Sequence, residues 1–260
     1  MGDDFPRTGG RFRRLIDLRT ERDGAVVGWL EDDFHHFGVT LEHDGECVTD
    51  IRAASPRVPF STCPLAGEHL KGMIGKPLSA RSTDVGAMIE MRDQCTHMFD
   101  LAGLAMAQAS VRRRHRRYEA IVEDREIVAW EAGMRRLLGP GTARLFRDGE
   151  EVLMWEVDRR DITGPKGWAG QSMIKGFRTH TEAMEVDEAE AATVLRRAVM
   201  VASGRTLDPD TVRTAAERGQ SGVCFTFQEK RRAEAHNMRG AARNYEDDSA
   251  GMLSHIGERP

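Results

Sequence analysis

Residues 11–53 read RFRRLIDLRTERDGAVVGWLEDDFHHFGVTLEHDGECVTDIRA, and the fold turns on how this stretch is parsed. Phe12 to Leu18 is rich in bulky and β-branched residues and runs into a turn at Asp23-Gly24. Ala25 to Asp33 makes a second strand. Phe37, Val39 and Leu41 then alternate with Gly38, Thr40 and Glu42 in a third. Such period-two alternation marks a strand with one face buried. Asp44-Gly45 is a hairpin signal, and Cys47 to Ala53 supplies the return strand.

Outward from this meander the pattern changes. Pro56, Pro59 and Pro64 break strands, and Pro64 suits the first turn of a short helix through Leu65, Leu70 and Met73, ended by Gly75-Lys76-Pro77. From Cys95 to Ala109 the apolar positions Met98, Leu101, Leu104 and Ala105 follow helical spacing, and the small residues among them would let another element pack closely. This predicts a central helix. Tyr118 to Val122 reads as a strand, and Ala143–Phe146 with Glu151–Val157 as a hairpin about Asp148-Gly149. Glu188 to Val201 reads as a helix stopped by Gly204, and Val223 to Phe227 as a buried strand. Helices interrupt the strands in blocks instead of alternating with them. The expected class is α+β: a curved or barrel-like antiparallel sheet packed on the Cys95 helix, one domain over residues 1–245, with a poorly ordered tail at 246–260.

The 260 residues are 40% hydrophobic and 31% charged, enough to build a core. Thirty-eight basic against 42 acidic residues leave a net charge of −4. That balance argues against a nucleic-acid coat, even with the run Arg112-Arg113-Arg114-His115-Arg116-Arg117, which reads as solvated or paired with acidic neighbours. No apolar run reaches membrane-spanning length and no secretory signal is visible, so the expected location is cytoplasmic, with the four cysteines as free thiols. A homodimer is compatible with the small-residue helix.

Arg13-Arg14-x-Ile16-Asp17, Asp33-Phe34-His35-His36-Phe37, Cys63-Pro64 and Cys95-Thr96-His97-Met98-x-Asp100-Leu101 occur in that order, followed by Val223-Cys224-Phe225 and Arg239-Gly240-Ala241-Ala242-Arg243. This set resembles a bacterial family of uncharacterised proteins, a domain of unknown function, over about residues 11 to 245. The resemblance carries no reaction. The occurrence of such proteins in bacteria that degrade aromatic compounds and steroids implies a small aromatic substrate. Where that family often has Gly before Cys-Thr-His, this chain has Gln94, which changes the turn into the helix.

Two constellations could carry proton chemistry. Asp32, Asp33, His35 and His36 lie where one strand ends and the next begins, offering carboxylates beside imidazoles that donate and accept protons near neutral pH. If Phe37 faces inward, His35 shares its side and His36 takes the other; a one-residue bulge would exchange them, so both remain candidates. The plain alternative is a solvated polar turn. Cys95, His97 and Asp100 open the predicted helix, where Asp100 at i+3 could orient His97 and the helix N-terminus would lower the Cys95 thiol pKa. Here the alternative has Thr96 as N-cap and Cys95 as a small buried hydrophobe.

A Cys/His zinc set from Cys63, Cys95, His97 and one of His35 or His36 has suitable chemistry but lacks any Cys-x-x-Cys spacing. For substrate, Trp29, Trp155 and Tyr118, with Trp168 in a glycine-rich loop, could line an aromatic cavity, and Arg57 or Lys166 could hold an anion. Core packing is the ordinary alternative for each. No Walker A, dinucleotide fingerprint or Gly-x-Ser-x-Gly elbow occurs. The expectation is an enzyme acting on a small aromatic metabolite without a cofactor, by a lyase-type cleavage such as loss of formaldehyde from a lignin-derived dimer, with decarboxylation or isomerisation as other reactions the same groups suit. His36 and His97 serve as base and acid, with Asp33 or Asp100 orienting them. A non-catalytic ligand-binding protein and a zinc protein are the alternatives, and a thiol nucleophile, Cys95 or Cys63, is a further option.

Overall fold

Four strands open the chain in the computed structural model, which describes residues 5–131 and 135–260. They are β1 (Arg11–Thr20), β2 (Val26–Asp32), β3 (His36–His43) and β4 (Val48–Arg57). Gly24 and Gly45 take φ of +91° and +100°, a region costly for side chains with a Cβ, which is why Asp-Gly stands at both places. Strand β4 outruns its expected end at Ala53. The register against β3 shifts between the pairs His36–Arg57 and Gly38–Ala54, so Ser55 and Pro56 together face Phe37. A bulge on an edge strand tolerates a proline, which has no N–H to give to a ladder.

A 3-10 helix, Cys63–Met73, follows with Pro64 in its first turn and Ala66, Leu70 and Met73 buried, while Leu65 is exposed. Then come α1 (Val85–Met88), α2 (Thr96–Ser110), β5 (His115–Glu123), β6 (Ile127–Glu131) and β7 (Arg135–Leu138). The chain continues as β8 (Gly141–Arg147), β9 (Glu150–Asp158), β10 (Asp161–Gly164), α3 (Phe177–Glu182) and α4 (Val186–Ala202). Asp148 and Gly149, at φ of +54° and +95°, make the expected β8–β9 turn.

The fold is mixed helix and sheet, with strand order β10-β9-β8-β5-β1-β2-β3-β4 and a separate β6–β7 pair. The barrel-like closure expected from the sequence does not occur, since β10 and β4 end the order as edges. Closure needs two edges long enough to ladder together. Strand β10 has four residues, a register shift before Gly164, and Pro165 directly after it.

The chain divides into two compact units. Leu15–Arg117, Pro209–Ala242 and Gly251–Pro260 form one; residues up to Arg14, with Tyr118–Asp208 and Arg243–Ala250, form the other. In the first, α2 packs on β2 and β3. Twelve of its fifteen residues are buried, which fits its apolar and small-residue composition on nearly every side. Cys95, not Thr96, occupies the N-cap position. Gly28 on β2 makes room for this contact, since a Cβ there would lie 3.0 Å from Leu101 Cδ1.

Gly103, on another side of α2, passes so close to Ser82 that an added Cβ would stand 2.3 Å from its carbonyl oxygen. Gly103→Ala is therefore expected to lower the melting temperature. Overpacking costs about 1–3 kcal/mol, against about 1 kcal/mol gained from alanine's helix preference. A variant melting at or above the wild-type temperature would contradict this packing.

Val223–Phe227 is not a strand. Phe225–Phe227 forms a short 3-10 turn in which Phe225 meets His69 and the Arg231 guanidinium, and Phe227 meets Phe60. Apolar residues here are anchored one by one through their rings instead of through a ladder. Residues 246–260 carry no helix or strand, but Trp29 Nε1 donates to Glu258 O, Leu253 N to the Glu31 carboxylate, and Arg259 to Asp23 and Glu42. Among the described residues no helix is long and apolar enough to cross a membrane.

Candidate functional site

The turn from β2 into β3 is built by Asp32. Its Oδ1 accepts from the backbone N–H of Phe34 and of His35, each at 2.9 Å, so one carboxylate oxygen organises the chain reversal. The same Oδ1 lies 2.9 Å from His35 Nδ1. Asp32 is fully buried, whereas the His35 side chain keeps 13% of its surface exposed.

From the first turn of α2, His97 lays its ring against that of His35, with centroids 3.9 Å apart and planes 29° from parallel. Phe37 borders both rings at 5.8 Å, and Cys95 Sγ lies 3.9 Å from His97 Nδ1. Among the described residues, Asp32, His35 and His97 form a group whose ligating atoms all lie within 4.8 Å of one another.

Arg57, expected to hold a substrate anion, supports this turn instead. Its Nη2 donates to Asp32 O at 2.6 Å, His35 O at 3.2 Å and Glu31 Oε1 at 3.0 Å. Its Nη1 donates to Asp33 O and Ala241 O, each at 3.0 Å. The guanidinium thus satisfies carbonyls that the tight reversal leaves outside the sheet ladder.

His36 points to the opposite face of β3 from His35, because the register slip falls on β4 and leaves the alternation of β3 intact. There it meets Trp29 and His255, with ring centroids at 5.3 and 5.2 Å, and its Nδ1 lies 3.4 Å from Glu31 Oε2. Burial lowers its pKa from the ordinary imidazole value, and Glu31 pulls the other way. The imidazole that meets His97 is therefore His35, not His36. Asp33 is buried next to the turn, and Asp100 is half-buried one turn along α2. The carboxylate set against an imidazole here is Asp32. Its spacing to His35, one turn of four residues, was the signal available for that role.

Trp29 is packed, not cavity-lining: it is buried, and its indole N–H donates to Glu258 O at 3.0 Å. The remaining aromatic candidates belong to the other unit. Tyr118 is buried and its hydroxyl donates to the Glu190 carboxylate. Trp155 is buried against Trp168 and Phe177, while Lys166 is exposed in the neighbouring loop. In the arginine run, His115 and Arg117 face the buried Asp17 carboxylate at 3.0 and 3.7 Å.

Cys63 and Cys95 are both buried, Cys63 Sγ lying 3.4 Å from Thr226 Oγ1. Burial pushes the Cys63 thiol up to about 11, and it pushes Cys95 up as well, with Cys63 and Cys224 adding to the effect. The expected activation of Cys95 by its helix terminus is opposed by its burial. The N–H groups of Met98 and His97 do favour a thiolate there, but the loss of water outweighs them. At about pH 8 an aromatic disulfide reagent should modify only the half-buried Cys47 and Cys224 in the folded chain, with the other two of the four cysteines following on denaturation. Rapid native labelling of Cys95 would contradict this.

Residues 14–112 match a family model described as a protein of unknown function, DUF2889. The match spans nearly all of β1 through α2 and includes Asp32, His35 and His97. No curated protein matches the chain.

Proposed function

We propose that this protein is an enzyme that acts on a small molecule by proton transfer at Asp32, His35 and His97. The observation that carries the reading is the stacking of two imidazoles at 3.9 Å beside a carboxylate with no exposed surface. Burying such groups costs several kcal/mol unless their partners compensate, and apolar residues would fill the same space without that cost.

The geometry suits a division of roles. When His35 Nδ1–H donates to Asp32, the ring is held in one tautomer and Nε2 keeps a lone pair for accepting a proton. His97, stacked on it, is the complementary donor. Two imidazolium charges at that spacing repel, so one ring acting as base beside another acting as acid is the favoured arrangement.

The reaction we carry forward is a lyase-type C–C cleavage that releases a one-carbon fragment from an aromatic compound bearing a hydroxymethyl group. His35 takes the hydroxyl proton, the C–C bond breaks with release of formaldehyde, and its electron pair stays on the ring-bearing carbon. His97 then protonates that carbon.

The test is formaldehyde release from a panel of phenolic dimers carrying hydroxymethyl groups, run with the wild-type chain and with His35→Ala. Release that depends on His35 supports the reading. A panel member that binds tightly and is never consumed would make the protein a binding module instead.

A further inference from the structure

The geometry points to a divalent transition-metal ion held by Asp32, His35 and His97, with its remaining positions open to water or substrate. The inference rests on the proposal that these three side chains are the working centre, and it adds what binds there. One ligating atom from each residue lies within 4.8 Å of the other two. Ligands at about 2.0–2.2 Å from one ion stand about 3–3.5 Å apart when adjacent, so the group closes onto an ion once the stacked rings turn to aim their in-plane lone pairs at one point.

The 2.9 Å between His35 Nδ1 and Asp32 Oδ1 is already such a separation. It is the length of an N–H···O bond and also that of two neighbouring ligands, so a proton and a metal ion compete for the same place.

The supports are those a metal site requires. Two ligands come from a turn locked by the N–H groups of Phe34 and His35 and by Arg57, and the third from the start of a buried helix. Rigid backing of this kind orients ligands before the ion arrives. A carboxylate with no exposed surface is also stabilised by a cation set directly against it.

Two imidazoles and one carboxylate favour zinc, iron(II), cobalt(II) or manganese(II) over magnesium and calcium, which prefer oxygen alone. With three protein ligands the site is of the open kind, as in catalytic centres, not the closed four-ligand kind. With an ion present both imidazoles serve as ligands, and the proton-accepting role passes to an ion-bound water.

The test uses the full chain, stripped with a chelator and titrated calorimetrically with zinc, manganese or, without oxygen, iron(II), each alone. X-ray absorption is then recorded on the zinc-loaded protein. The expected result is one ion per chain in a shell of nitrogen and oxygen with imidazole scattering, and an affinity about a hundredfold or more weaker in Asp32→Asn and His97→Ala. No ion taken up, or a sulfur-containing shell that puts the ion on Cys63 and Cys95, overturns the inference. The absorption measurement needs no variant, so a misfolded substitution does not rescue it. An ion bound as expected with no turnover of any panel compound leaves the inference standing and defeats the enzyme reading. Turnover of a panel compound by a chain that takes up no ion does the reverse.

Discussion

Asp32→Asn is expected to leave the fold intact and to lower turnover by about 10²–10⁴-fold, the usual worth of a positioned acid or base. The substitution separates two tasks that one carboxylate performs. An asparagine Oδ1 still accepts from the N–H groups of Phe34 and His35, so the chain reversal survives. It is neutral, however, although the same oxygen can still accept from His35 Nδ1, 2.9 Å away. The imidazole then keeps its hydrogen bond but loses the negative charge that favours taking up a proton. The companion variant His97→Gln should cause a similar loss, because it removes the ring stacked on His35 while keeping comparable bulk at the start of α2. Steady-state rates with unchanged far-ultraviolet circular dichroism check both variants. An Asp32→Asn enzyme as fast as wild type would show that the carboxylate only shapes the turn.

The second large effect is on stability. Arg57→Ala is expected to cost about 3–5 kcal/mol, the range for breaking a buried ion pair by removing one partner. The Arg57 and Glu31 side chains are only 10% and 4% exposed. Removal of the guanidinium leaves the Glu31 carboxylate without that cation and takes hydrogen bonds from the carbonyls of Asp32, Asp33, His35 and Ala241. Lysine should not rescue the loss, since a point-like ammonium cannot reach this spread of acceptors as a planar fork does. Urea unfolding of wild type, Arg57→Ala and Arg57→Lys measures the effect. A change below about 1 kcal/mol, typical of an exposed pair, would contradict the placement of Arg57.

The meander from β1 to β4 is legible in the sequence because its information is local. Phe37, Val39 and Leu41 alternate, and Asp-Gly pairs stand at positions that need positive φ. The same holds for the β8–β9 hairpin and for α4. What escapes is set by distant partners. Whether a sheet closes depends on its two edges, and nothing local in β4 reports on β10. Pro56 reads as a strand breaker because proline gives no N–H, but a bulge on an edge strand removes the need for one. Val223–Phe227 has the composition of a strand, yet its phenylalanines are held by Phe60, His69 and Arg231.

The site divides in the same way. Alternation alone put His35 on the Phe37 face and His36 on the other, and the bulge that could have exchanged them lies on the neighbouring strand. That His97 meets His35 follows from the docking of α2 on β2 and β3, which no spacing in the sequence encodes. The role of Arg57 is hidden for a similar reason: a long side chain can reach either a ligand or the backbone, and only the shape of the turn decides.

The most direct measurement is a kinetic double-mutant cycle on the facing rings: wild type, His35→Ala, His97→Ala and the pair together, assayed on one substrate. Residues that work as a unit fail as a unit, so the doubly substituted enzyme should be no slower than the slower single variant. Losses that multiply, or a His97→Ala enzyme that keeps full speed, would mean that the two imidazoles are neighbours in space without sharing a task.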